Sequence, residues 1–158
     1  MASYDVRVRS SASIEQVFAL VADATSWSRW AGPMIMHSSW VREGDPAPGG
    51  VGAVRRLGSR LIGTREEILE YDPPHYLAYT IVSWQPIRDY RAVVSLDPDG
   101  EGTCITWSGA FQPLVPGTGR LLAWVLGKIV GGMAIRLARY TTAQAGPAEP
   151  GGRANGAK

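Results

Sequence analysis

The sequence predicts an α+β fold in which a seven-stranded antiparallel sheet wraps around one long C-terminal helix. Three observations carry this. Strand-like segments follow one another from Met34 to Phe111, separated by short turn signals, as consecutive antiparallel strands do. Helical periodicity is confined to a short stretch after Ser13 and a long one from Arg120. A single helix does not cover that much curved sheet, so a hollow is expected between the two.

Each element has its own signal. Tyr4–Arg9 alternates, with Val6 and Val8 opposed to Asp5, Arg7 and Arg9, and reads as a half-buried strand. Ser13 followed by Gln16 forms a capping box, in which each side chain satisfies a free backbone N–H of the other. Ile14, Val17, Phe18 and Val21 then share one face of a helix ending near Asp23. Trp27 and Trp30, three apart, fall on one side of a short second helix. Met34–Val41 is the second strand, and the proline- and glycine-rich residues 43–52 form a loop. Ala53–Ser59 and Gly63–Tyr71 are the third and fourth strands. Asp72-Pro73-Pro74 turns the chain, because proline gives no donor to a ladder.

Tyr76–Trp84 and Asp89–Leu96 follow as the fifth and sixth strands. Asp97-Pro98-Asp99-Gly100 carries the residues of a type I turn. Thr103–Phe111 is the seventh strand, residues 113–119 a linker, and Arg120 to about Thr142 the last helix. One domain is expected over residues 1–144. The tail, 145–158, has no apolar periodicity and is expected to be disordered.

Composition removes several functions. The chain has 158 residues, 45% of them hydrophobic, which suits one globular core. A net charge of +2 gives no case for nucleic-acid binding. The cations are nearly all arginine, Lys128 and Lys158 being the only lysines, a bias that points to a GC-rich bacterial genome. Cys104 is alone, so no internal disulfide or multi-cysteine metal site is expected. The N-terminus reads as no signal peptide, and a cytoplasmic protein is expected. Leu121–Ile135 is apolar, but at about fifteen residues, interrupted by Lys128, it falls short of the roughly 20 that span a bilayer. It reads as a buried helix, without stable membrane insertion.

The order of strand, two short helices, six strands and long helix resembles the helix-grip fold. The superfamily is the START/Bet v 1-like (SRPBCC) group, which includes lipid-transfer domains, birch-pollen-type allergens and polyketide aromatase/cyclases. The resemblance rests on SIEQVFALVADATSWSRW, PGGVGAVRRL, EILEYDPPHYLAYTIV and GTCITW before FQP, covering about residues 3–142. It implies an internal hydrophobic cavity. It is weak on activity, because this fold hosts carriers, receptors and enzymes alike.

Alternation assigns side chains to the hollow. Thr103, Ile105, Trp107 and Phe111 point inward from the seventh strand, and Tyr90, Ala92, Val94 and Leu96 from the sixth. Leu77, Tyr79 and Ile81 do so from the fifth. The third and fourth strands carry charge on both faces. Resemblance to the allergen-type relatives implies that Ala53, Arg55, Leu57 and Ser59 face inward, with Thr64, Glu66 and Ile68. A hairpin centred on Arg60-Leu61 then sets Arg55 opposite Glu66 and Leu57 opposite Thr64, a favourable cross-strand charge pair. On the last helix, Leu122, Val125, Leu126, Ile129, Met133 and Leu137 make one apolar face to roof the hollow. Gly131-Gly132 kinks that helix or admits a ligand.

Each candidate has a structural alternative. Arg55 either binds a ligand oxygen with Glu66 orienting it, or belongs to a structural ion pair. Tyr79 and Tyr90 either donate to a ligand or bond each other. Trp107 is cavity wall or core, and Trp27 and Trp30 pack the second helix or line the entrance. His37 and His75 have no neighbour at metal-ligand spacing. No nucleophile elbow is present, and Gly49–Gly52 precedes a strand where a phosphate loop needs a helix. No cofactor, metal or catalytic residue is assigned.

The first functional expectation is binding of a hydrophobic or aromatic small molecule, lipid- or polyketide-like, by a monomer or homodimer. The ligand-facing set is Arg55, Leu57, Glu66, Ile68, Tyr79, Ile81, Tyr90, Val94, Trp107, Ile129 and Met133. The second is a polyketide aromatase/cyclase-like aldol ring closure. The third is an interaction protein whose hollow is filled by its own side chains.

Overall fold

The computed structural model describes residues 1–146. Strand β1 (Ala2–Ser10) leads to α1 (Ile14–Ala22), a 3₁₀ turn (Ala24–Ser26) and the one-turn helix α2 (Trp27–Trp30). Six strands follow: β2 (His37–Arg42), β3 (Val54–Gly58), β4 (Gly63–Asp72), β5 (Tyr76–Ile81), β6 (Ile87–Asp99) and β7 (Gly102–Pro113). Helix α3 (Gly119–Ala145) closes the fold. The sheet is seven-stranded and antiparallel, in the order β1-β7-β6-β5-β4-β3-β2, so β1 returns to pair with the last strand. This is the helix-grip α+β architecture. Residues 147–158, most of the expected tail, lie outside the described residues.

Local chemistry explains most boundaries. The capping box of Ser13 and Gln16 starts α1, and Ile14, Val17, Phe18 and Val21 are its buried face. The β3–β4 register places Arg55 opposite Glu66 and Leu57 opposite Thr64, as the hairpin centred on Arg60-Leu61 requires. The inward sets of β6 and β7 are buried throughout.

Several boundaries differ from the sequence reading. β2 starts at His37, leaving Met34 and Met36 exposed. β5 stops at Ile81, and Trp84 stands in the loop before Pro86 rather than in the strand. β6 starts earlier, at Ile87, across a bulge between Arg88 and Arg91 where Asp89 takes φ 52°. β6 also runs through the expected Asp97–Gly100 turn, pairing Pro98 with Thr103 and Asp99 with Gly102. Gly100, at φ 61°, begins the two-residue loop instead, because a left-handed first position matches the twist of a tight hairpin.

The largest difference lies in α3. Its buried residues are Val130, Ala134, Leu137, Ala138 and Thr141. Of the six residues expected to face the sheet, only Leu137 is among them. Leu122, Leu126, Ile129 and Met133 are half-buried, and Val125 is exposed. The helix is turned because it lies close against β1. A β-carbon at Gly131 would stand 3.8 Å from Val6, and one at Gly127 would stand 3.5 Å from Tyr4. Small residues permit that approach, and Leu or Met in their place would hold the helix away. Gly131-Gly132 therefore serves packing, and the helix runs on without a break through both.

Candidate functional site

Arg55 on β3 and Glu66 on β4 meet on the concave face. Arg55 is 0% exposed and Glu66 7%. Arg55 Nε donates to Glu66 Oε2 at 2.9 Å, and Nη1 donates to the Val21 carbonyl at 2.8 Å. Nη2 lies 2.8 Å from the same Glu66 oxygen, within ion-pair range but out of line for a hydrogen bond. Val21 is in the last turn of α1, where carbonyls lack helical partners and carry partial negative charge. Trp27 Nε1 donates to that carbonyl as well, at 3.1 Å. The guanidinium is stacked between rings, 4.4 Å from the Trp27 centroid and 5.0 Å from that of Tyr79. All sides of Arg55 are thus taken by protein.

A second set of polar groups adjoins the pair. Trp107 Nε1 donates to Tyr79 Oη at 3.0 Å, and the Tyr4 and Tyr90 hydroxyls share a 2.5 Å hydrogen bond. Burial, before any other cause, pushes the phenols of Tyr4, Tyr79 and Tyr90 far above the ordinary tyrosine range. They remain neutral donors. Trp107 meets Trp27 edge-on at 5.7 Å between centroids. These aromatic groups fill the floor of the expected hollow.

Of the sequence-derived set, the structure brings Arg55, Glu66, Tyr79 and Trp107 together. Leu57, Ile68, Val94 and Tyr90 are buried in the surrounding core. Ile81, Ile129 and Met133 are only half-buried. Ile129 and Met133 share a flank of α3 with Leu122 and Leu126, roughly 90° around the helix from the buried stripe at 100° per residue. Gly127 and Gly131 touch β1 on the other flank, so this row is turned away from β1. The concave side therefore has a closed floor and an apolar upper flank that is only partly covered, with Leu122, Leu126 and Met133 packed in part against the core.

Three participants escaped sequence reasoning. Tyr4 shares the inward period of Val6 and Val8, a signal present in the sequence. Spacing puts Trp27 and Trp30 on one side of α2, as packing or entrance residues, but the position of Trp27 over Arg55 depends on tertiary packing. The Val21 carbonyl has no side-chain signal. His37 and His75 are exposed. Two open surface grooves lie elsewhere. One, about 240 Å³, is between β1 and the C-terminal half of α3, and the other, about 330 Å³, runs over the convex side of β1, β7 and β6.

Burial raises the proton affinity of Glu66, and Arg55 opposes this without cancelling it. Its carboxyl carbon is expected to titrate by NMR with a midpoint above 4.5, the ordinary value. The folded state then holds this proton more tightly than the unfolded chain. Its contribution to stability is full below the unfolded value and is lost as pH rises through the folded one. A midpoint at or below 4.5 would contradict the direction.

The fold is shared widely among solved structures. A START superfamily protein from Mycobacterium smegmatis aligns with a TM-score of 0.76 at 13% identity, covering 91% of this chain and 99% of its own. A solution structure from Thermobifida fusca is 28% identical, with a TM-score of 0.71 and coverage of 92% and 93%. The crystal structure of Ara h 8.0201 aligns at 0.71 and 16% identity, with coverage of 89% and 97%. No curated protein sequence matches the chain. The pattern of one family, however, runs over residues 1–142, from the first strand to the end of the packed helix. By that match, the chain belongs to the polyketide cyclase / dehydrase and lipid transport family.

Proposed function

We propose that the protein binds one apolar or aromatic small molecule, lipid- or polyketide-like, along the half-buried flank of α3. The observation that carries this reading is the half-buried apolar row of Leu122, Leu126, Ile129 and Met133 on the helix that closes a sheet with a buried polar pair. Ligand sites combine an apolar wall with few polar groups, and methionine adapts to varied apolar shapes. Family membership supports a hydrophobic ligand or a cyclase-like reaction. Within this reading Glu66, with its residual exposure, meets a ligand hydroxyl or carbonyl. Arg55, being sealed, positions Glu66 and does not touch the ligand itself.

Glu66 favours a second reading, the aldol-type cyclase. A buried carboxyl of raised proton affinity suits proton removal between two carbonyls and its return to the alkoxide formed on ring closure. A changed ultraviolet spectrum on incubation with a poly-β-keto thioester distinguishes this from simple binding.

Anilinonaphthalene sulfonate serves as the binding probe. Met133→Trp fills the flank and is expected to weaken the probe about tenfold, corresponding to ~1.4 kcal/mol, with the melting temperature held. Equal affinity in the folded variant would remove the flank as the site. Native mass spectrometry of the purified protein reports any molecule carried from the cell.

A further inference from the structure

We propose that one end of the sheet is a docking surface for an anionic lipid bilayer. The antiparallel register brings the β3–β4 loop, the β5–β6 loop, the β7–α3 loop and the start of β1 to the same end. Hydrogen bonds join them into one rim. Val82 N–H donates to the Arg65 carbonyl at 2.8 Å, and Arg65 N–H to Ser83 Oγ at 3.1 Å. Leu114 N–H donates to the Pro86 carbonyl at 3.2 Å. The first turn of α3 is seated there too, since a β-carbon on Gly119 would lie 3.3 Å from that of Ala2.

This rim is apolar where a water-facing rim has no reason to be. Leu61 and Ile62 tip the β3–β4 loop, Trp84 tips the β5–β6 loop, and Val115, Leu121 and Trp124 follow on the β7–α3 side. Leu61 is 94% exposed and Trp84 89%. Contiguous exposed apolar groups mark an interaction surface, and tryptophan at loop tips suits the headgroup boundary of a membrane.

Charge selects the occupant. Arg60, Arg65, Arg88 and Arg120 are exposed on these loops and their flanks, with Asp89 beside Arg88. Exposed acids gather at the other end of the sheet, among them Glu15, Asp45, Asp72, Asp99 and Glu101, and Arg9 there is bonded to Asp99. The molecule therefore presents its positive, apolar end to a negative surface. A second copy docked by a two-fold axis would set these arginines against themselves. Contact is shallow, because α3 remains fixed to β1 and β7 through its buried stripe. The surface stands independently of what the α3 flank holds.

Vesicle flotation tests this. The wild-type chain is expected to float with phosphatidylcholine vesicles containing phosphatidylglycerol, to be released by high salt, and to ignore phosphatidylcholine alone. Its tryptophan emission should shift to the blue on binding. Arg60→Gln with Arg88→Gln should weaken partitioning about 30-fold, from ~1 kcal/mol per charge. Leu61→Ser with Trp84→Ser should abolish it, and Ile135→Ser, away from the rim, should leave it unchanged. These are exposed sites, and unchanged thermal melts establish that the variants fold. Failure of the wild type to float at low salt would overturn the proposal, as would normal flotation of the Leu61→Ser, Trp84→Ser variant. So would a wild-type dimer that this variant dissociates, with no vesicle binding, which would make the surface a contact between copies.

Discussion

Replacing Arg55 by alanine is expected to remove about 3–5 kcal/mol of folding stability, read as a lower urea midpoint at unchanged slope. The cause is what the substitution leaves behind. Glu66 loses the guanidinium that donates at 2.9 Å, and the Val21 carbonyl loses its 2.8 Å donor. Trp27 and Tyr79 lose the group between their rings. A carboxylate stranded in a buried site is costlier than the original pair. Arg55→Met combined with Glu66→Leu is therefore expected to recover most of the loss, since apolar replacement of a buried pair is often neutral. A loss below about 1 kcal/mol for the single variant would mean that the pair is open to water. The alternative, a ligand contact made by Arg55 in an otherwise stable fold, predicts weaker binding with unchanged stability. Because Arg55 is enclosed, weakened ligand binding in Arg55→Ala would not by itself prove contact.

Trp107→Ala is expected to cost a comparable ~3–5 kcal/mol, as a large fully buried aromatic does when truncated. Trp107 is 0% exposed, meets Trp27 edge-on and donates to Tyr79. Tyr79→Phe isolates the polar part. It leaves the indole N–H buried without a partner, at about 1–3 kcal/mol. Combining the two substitutions should cost less than their sum, because the hydrogen bond is counted in both. Strict additivity in urea denaturation would show that the Trp107–Tyr79 bond contributes nothing. Near-ultraviolet circular dichroism provides a second reading, as the Trp27–Trp107 pair should lose its signal in Trp107→Ala.

Much of this site was legible in the chain. Two-residue alternation places Tyr79, Tyr90 and Trp107 on the concave face, because a strand leaves no other arrangement for an apolar set. The Arg55–Glu66 register follows from a short hairpin and opposite charge. The turn between β6 and β7 was less legible, because Asp97-Pro98-Asp99-Gly100 satisfies a type I turn as well as a strand end. Continuation of the β6–β7 ladder down to Asp99 and Gly102 decided it.

Helix α3 marks the boundary between the two kinds of information. Its amphipathic period identifies a helix, but its apolar residues extend too far around the axis to choose one face. β1 chose it, by pressing against Gly127 and Gly131 and leaving the larger Leu122, Leu126, Ile129 and Met133 at the side. The same holds for Trp27 above Arg55 and for the Tyr4–Tyr90 bond, whose partners are 28 and 86 residues apart. The sequence by itself determined the order of the strands and the faces of the fifth, sixth and seventh, since these follow from local period, while the inward setting of Arg55 and Glu66 came from the family resemblance and a favourable register. Only the tertiary structure decided the azimuth of α3, the filled floor and the apolar, basic rim, because each is set by distances between elements remote along the chain.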